Sequence, residues 1–276
     1  MRRVSVFVSA LVRAAAVWSA LIFLTAPALA SEFDCLIEAR QTVEVRSSVE
    51  AVIEKIHVRR GDYVRKGQVL VNLESGAERA ALELARSRAT MQGEIKAAEA
   101  RLELASKKRQ QAQELYEQKF VSATARDEAV AEYKLATEQL RQARENKLLA
   151  QLEVKRTSEI LALRTIRSPL TGLVVETVLS PGEFATSNLK DPILRLVEIN
   201  PLNVEVILPV SEFGRIKAGT EAIVLPEEPI GGEYSATVKI VDRIVDAASG
   251  TFGVRLELPN RRGSIPPGVR CRVRFP

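Results

Sequence analysis

The 276-residue chain is poor in the residues that most site chemistries need. It has two cysteines and one histidine, so a zinc cage of His and Cys ligands cannot be assembled from it. A single histidine also argues against a His-based triad or metalloprotease motif. Beyond Met1 the only methionine is Met91, which argues against methionine-based copper or silver sites. No proline occurs between Pro27 and Pro169, and between Ala77 and Ser168 the only glycine is Gly93. Excess charge is lacking too. The formal charge is +5, but Arg2, Arg3 and Arg13 lie in the first thirty residues, which hold no acid. The remainder is nearly neutral, which excludes a nucleic-acid polycation.

What is present begins with a leader. Arg2 and Arg3 are followed by an apolar run from Ala14 to Ala26, then by small residues in Ala28-Leu29-Ala30. This layout predicts a signal peptide over 1–30, cut between Ala30 and Ser31. The run is short for a bilayer span of ~20 residues, and Arg13 interrupts any longer one. Cys35 follows Phe33-Asp34 rather than small residues, so it is not a lipoprotein cysteine. The mature chain is expected in an oxidising compartment, the periplasm of a Gram-negative host.

The stretch without proline is rich in Ala, Leu, Glu, Lys, Arg and Gln, all strong helix formers. Apolar positions recur every seven residues: Leu84, Met91, Ala98, Ala105 and Ala112 in one arm, Ala129, Ala136, Ala143 and Ala150 in the next. Small seam residues permit close helix approach. The register breaks at Phe120-Val121-Ser122, where Ser122 or Thr124 can cap a new helix. The pattern predicts antiparallel helices over 77–119 and 123–160, each ~60 Å long. Two arms cannot bury a wide core, so they read as a protruding hairpin.

The hairpin's flanks repeat each other. Ser47-Ser48-Val49-Glu50-Ala51-Val52-Ile53 aligns with Ser168-Pro169-Leu170-Thr171-Gly172-Leu173-Val174, and Gly61-Asp62-Tyr63 with Gly182-Glu183-Phe184 at the same offset. These are short strands with glycine turns, each half too small to stand alone. From residue 200 the period changes to two: Val204, Val206 and Leu208, then Phe252, Val254, Leu256 and Leu258, then Val269, Cys271, Val273 and Phe275.

These residues together resemble the periplasmic adaptor subunits, or membrane fusion proteins, of the HlyD and RND-efflux type. Val52-Ile53-Glu54-Lys55-Ile56, Gly61-Asp62 and Lys66-Gly67-Gln68 look like one lipoyl half-motif, and Thr165 through Val174 like its partner. The likeness continues through Val241 to Phe252, Leu258-Pro259-Asn260 and Ile265-Pro266-Pro267-Gly268. It implies an elongated, multi-domain α+β chain: a coiled-coil hairpin inserted in a lipoyl-like barrel-sandwich hybrid, followed by a small β-barrel. The expected divisions are a strand at 31–46 joining the barrel, lipoyl-like halves at 47–76 and 163–199, the hairpin at 77–162 and the barrel at 200–276. A membrane-proximal domain built from both chain ends is expected to be absent.

The resemblance further implies a non-enzymatic adaptor. Its partners would be an inner-membrane transporter of RND or ABC type, an outer-membrane channel and other copies of itself in an oligomeric sleeve. No cofactor is implied: where a lipoyl carrier presents its modified lysine, this chain has Glu74-Ser75-Gly76-Ala77. The tip motif of the drug-efflux branch falls on Gln111, Leu115 and Ser122, so its Leu and Ser are kept and its Arg is not. With the apolar Phe120 and Val121, Leu115 and Ser122 are the expected channel contacts. A free-standing periplasmic scaffold or binding protein using the hairpin for another partner is the alternative. His57 reads as a surface or packing residue, and Asp242 and Asp246 as turn residues. Cys35 and Cys271 both fall in the apolar register of strands near the chain ends and are candidates for a disulfide.

Overall fold

The structure is a computed structural model. It describes residues 31–186 and 192–276; the leader, with Ala30, lies outside them. The described chain divides into two compact units, one of Ala39–Leu202 with Asn260–Ser264, the other of the remaining residues.

The first unit holds a β-sandwich and a helical hairpin. Its strands are β2 (Ala51–Ile56), β3 (Tyr63–Val64), β4 (Val69–Leu73), β5 (Thr165–Arg167), β6 (Gly172–Thr177) and β7 (Phe184–Ala185), with parts of two long strands, β1 (Glu32–Val45) and β8 (Leu194–Pro209). The sequence repeat becomes a two-fold in the hydrogen bonding. Val52 pairs with Phe184, and their counterparts Leu173 and Tyr63 pair with each other. Gly61 donates to Val174 O, and Gly182 donates to Ile53 O. Both glycines have φ near +90° (94° and 92°), a region that costs other residues about 1–2 kcal/mol. Each turn closes alike: Arg59 N donates to the Asp62 carboxylate and Ser180 N to that of Glu183, both at 2.7 Å. Ser47 and Ser168 each donate their hydroxyl to the carbonyl two residues on. The halves swap edges and close over one core that includes Ile53, Val64, Leu70, Val174, Leu194 and Leu196.

The hairpin leaves the sandwich at Ser75. It comprises α1 (Gly76–Thr90), α2 (Gly93–Glu117) and α3 (Ala123–Ala162). Its base is fastened by Arg164, which donates to Glu78 Oε1 at 2.5 Å and to Glu50 O at 3.2 Å. The long second arm keeps its heptads, with Ala136, Leu140, Ala143 and Thr157 buried. The first arm is not one helix over 77–119. Met91 is extended (ψ 132°), and the helix restarts at Gly93, the poorest helix former in the segment. The break shifts the seam by one residue. On α1 the buried residues are Leu82 and Ala85, while Leu84 is 53% and Met91 68% exposed; the expected seam through Leu84 and Met91 is therefore corrected. Beyond the break, Ala98 and Ala105 are buried as the spacing indicates.

The second unit is all β. β9 (Glu221–Pro226), β10 (Tyr234–Val241), β11 (Thr251–Leu258) and β12 (Val269–Arg274) join β1 and β8 in the order β1-β12-β9-β10-β11-β8. β1 also pairs with β8, so the order returns on itself as a small barrel. Alternation places Val204, Val206, Leu208, Val254, Leu256, Leu258 and Val273 inside, all nearly fully buried. The unit boundaries fall at 38/39 and 202/203, inside β1 and β8, and not at 46/47 and 199/200. In both strands the alternation runs on through the division, so periodicity carries no mark of it. In the barrel wall Cys35 stands opposite Cys271 and is bonded to it. Outside it, Glu32 accepts from both Arg272 and Arg274, and hydrogen bonding from Arg274 holds its carboxyl below the ordinary range.

Candidate partner-binding tip of the hairpin

The end of α2 is shaped by its cap. Lys119 adopts the left-handed conformation (φ 63°). Its N–H donates to Tyr116 O, and the Phe120 N–H donates to Leu115 O at 2.8 Å. This is a Schellman motif with lysine where glycine is usual. The motif turns the chain sharply and leaves Phe120 74% exposed at the apex, with Leu115 exposed below it and Val121 half-buried. Ser122 then opens α3: its hydroxyl accepts from Ala125 N at 3.2 Å. The capping assignment thus falls to Ser122, not Thr124. Its hydroxyl satisfies one of the free N–H groups of the helix start.

All four tip residues singled out from the sequence are therefore within one turn, and Phe120 is the most exposed large apolar side chain there. Gln111 lies lower on the hairpin and is exposed. Arg109, two residues from it, is directed to the inter-arm seam, where its guanidinium sits 4.1 Å from the centre of the Tyr133 ring. A second stack escaped the sequence reading: Arg126 lies 4.5 Å over Tyr116 and pairs with Asp127 at 2.7 Å. The hydrogen bond to Asp127 raises its pKa further. The signal available was the aromatic in α2 and the basic residue in the first turn of α3. This stack braces the tip from one side, while Phe120 projects free of it.

Among the described residues no group of three or more His, Cys, Asp or Glu comes together as a metal site. His57 is exposed. Asp246 is a turn residue: its carboxylate accepts from Ala248 N at 2.9 Å, and that bond, with help from Ser249, lowers its pKa. No described helix is long and apolar enough to cross a membrane.

The geometry is matched by known proteins. A family profile described as "CzcB-like, barrel-sandwich hybrid domain" covers residues 41–190, both sandwich halves and the hairpin between them. The chain belongs to this CzcB-like barrel-sandwich hybrid family. "Multidrug resistance protein MdtE" of Escherichia coli (strain K12) is 24% identical over 241 residues, which are 83% of this chain and 59% of MdtE. "Membrane fusion protein MtrC" of Neisseria gonorrhoeae is 27% identical over 258 residues, 89% of this chain and 60% of MtrC. The chain thus spans about three fifths of the length of these relatives. Among solved structures, MacA from Actinobacillus actinomycetemcomitans superposes with a TM-score of 0.74 at 22% identity, covering 89% of this chain and 78% of MacA. That likeness supports the α+β adaptor fold of hairpin, barrel-sandwich hybrid and β-barrel.

Proposed function

We propose that this member of the CzcB-like barrel-sandwich hybrid family is a periplasmic adaptor. It links an inner-membrane transporter to an outer-membrane channel for efflux or secretion, and several copies assemble into a sleeve. The role is non-catalytic, with the energy supplied by the transporter, of RND or ABC type. The chain reaches the periplasm by a leader cut between Ala30 and Ser31. The observation that carries this reading is the tip: an exposed Phe120, set at the apex of a capped turn at the far end of a long hairpin. Exposed apolar apices of this kind mark contact surfaces. Leu115, Phe120, Val121 and Ser122 form the channel-facing surface.

The test replaces Phe120 and Val121 together with Asp, which puts charge where apolar packing is required. Export should be lost while secretion and helicity of the adaptor stay normal. Unchanged export by a normally secreted double variant removes the channel contact. Recovery of soluble periplasmic partners alone from envelopes would instead favour a free-standing scaffold.

A further inference from the structure

The hairpin has one apolar broad face. With Ala98, Ala105, Ala136 and Ala143 as d positions of the heptad, Leu104, Leu135 and Leu149 fall at c, and on α1 Leu84 does so relative to the buried Ala85. In an antiparallel pair the c and g rows of both arms project to one side, and the b and e rows to the other. Cross-arm contacts agree. Lys108 to Glu132 and Asn146 to Glu94 join g rows, whereas Arg144 to Glu99 joins e rows. All four c-row leucines are more than half exposed. Leu148, at b, and Leu152, at f, are the exposed leucines of α3 that lie off this face.

Two further features of the face identify its occupant. The apolar residues are level across the arms. Stepping four residues toward the base from Lys108 and three from Glu132 gives Leu104 and Leu135. Stepping three toward the base from Glu94 and from Asn146 gives the exposed Met91 and Leu149. The charges also divide by arm. On the c and g rows the first arm has Arg88, Arg101 and Lys108 against Glu94 alone. The second has Glu128, Glu132 and Glu153 against Arg156 alone.

We propose that this face binds the same face of a second copy about a two-fold axis running along the hairpin, with the tips together. That operation lays the first arm of each copy on the second arm of the other. Leu104 then meets Leu135 of the other copy, Met91 meets Leu149, and the cationic arm lies on the anionic one. A two-fold across the hairpin, with tips opposed, would stack like-charged arms instead. The contact rests on the reading of the chain as a self-associating adaptor and specifies the surface used.

The experiment uses the mature chain, in which both native cysteines are bonded to each other, so that introduced thiols are the reactive ones. Chains carrying Leu104→Cys are mixed with chains carrying Leu135→Cys and oxidised mildly. The expected product is the mixed 104–135 disulfide, in excess of either like pair. It should also exceed the product of Leu104→Cys with Lys134→Cys, which lies on the opposite face. A dominant 104–104 product, or a mixed yield no higher than the Lys134→Cys control, overturns the proposal. In parallel, Leu104→Glu with Leu135→Glu should sediment as monomer, whereas Leu148→Glu should leave the dimer intact; equal behaviour of the two overturns it as well. Failure here with the tip variants still blocking export would leave the adaptor role standing and discard only this face.

Discussion

Cys35 and Cys271 are direct cross-strand partners in the antiparallel pair of β1 and β12, with Cα atoms 4.8 Å apart and a disulfide between them. The bond closes a loop across 236 positions of sequence. Loop-closure entropy gives on the order of 4–5 kcal/mol of stabilisation for such a loop. We expect protein taken from the periplasm, denatured without reductant, to show no free thiol. The double variant Cys35→Ala, Cys271→Ala should unfold at markedly lower denaturant concentration than the oxidised chain. Two titratable thiols per chain in the unreduced protein would refute the bond.

Gly172 sits where no side chain fits. Its φ is not left-handed; a Cβ built there would lie 2.2 Å from the Val197 carbonyl oxygen across the β6–β8 pairing. The counterpart in the first half is Ala51, which has a Cβ and is buried. Gly172→Val should therefore lower the melting temperature more than Ala51→Val, with overpacking costs of about 1–3 kcal/mol or more. Equal shifts in thermal denaturation would contradict this.

These positions show what sequence can and cannot disclose. The repeat was legible because equivalent residues in each half make equivalent hydrogen bonds, so both halves retain the same glycines and acids. The second arm was legible because its seam is an unbroken heptad of small and apolar residues. The break at Met91 was not. Heptad spacing counted straight through it, and only the three-dimensional path shows Met91 extended and the α1 seam displaced to Leu82 and Ala85. The need for Gly172 was suspected from the turn but for the wrong reason, since its constraint comes from Val197, distant in sequence. The apolar and polar roles at the tip were readable; the Arg126–Tyr116 stack was not, because no periodicity marks a contact across a turn.

Lys119 pays a conformational cost at the end of α2 that glycine would not. Lys119→Gly should raise unfolding free energy by about 1 kcal/mol, since the left-handed cap position penalises a side chain by that order. Chemical denaturation of the two proteins checks this. A loss of stability would mean that the Lys119 side chain makes a contact that outweighs its backbone strain.

The central claim, that the hairpin apex meets a channel, is tested most directly by a photo-crosslinking residue at Phe120, with the same residue at Lys134 as a control. Irradiation of intact cells should yield an adduct between the Phe120 variant and an outer-membrane channel protein, and none from Lys134. Adducts from Phe120 only with soluble periplasmic proteins, or equal channel adducts from both positions, would contradict the account.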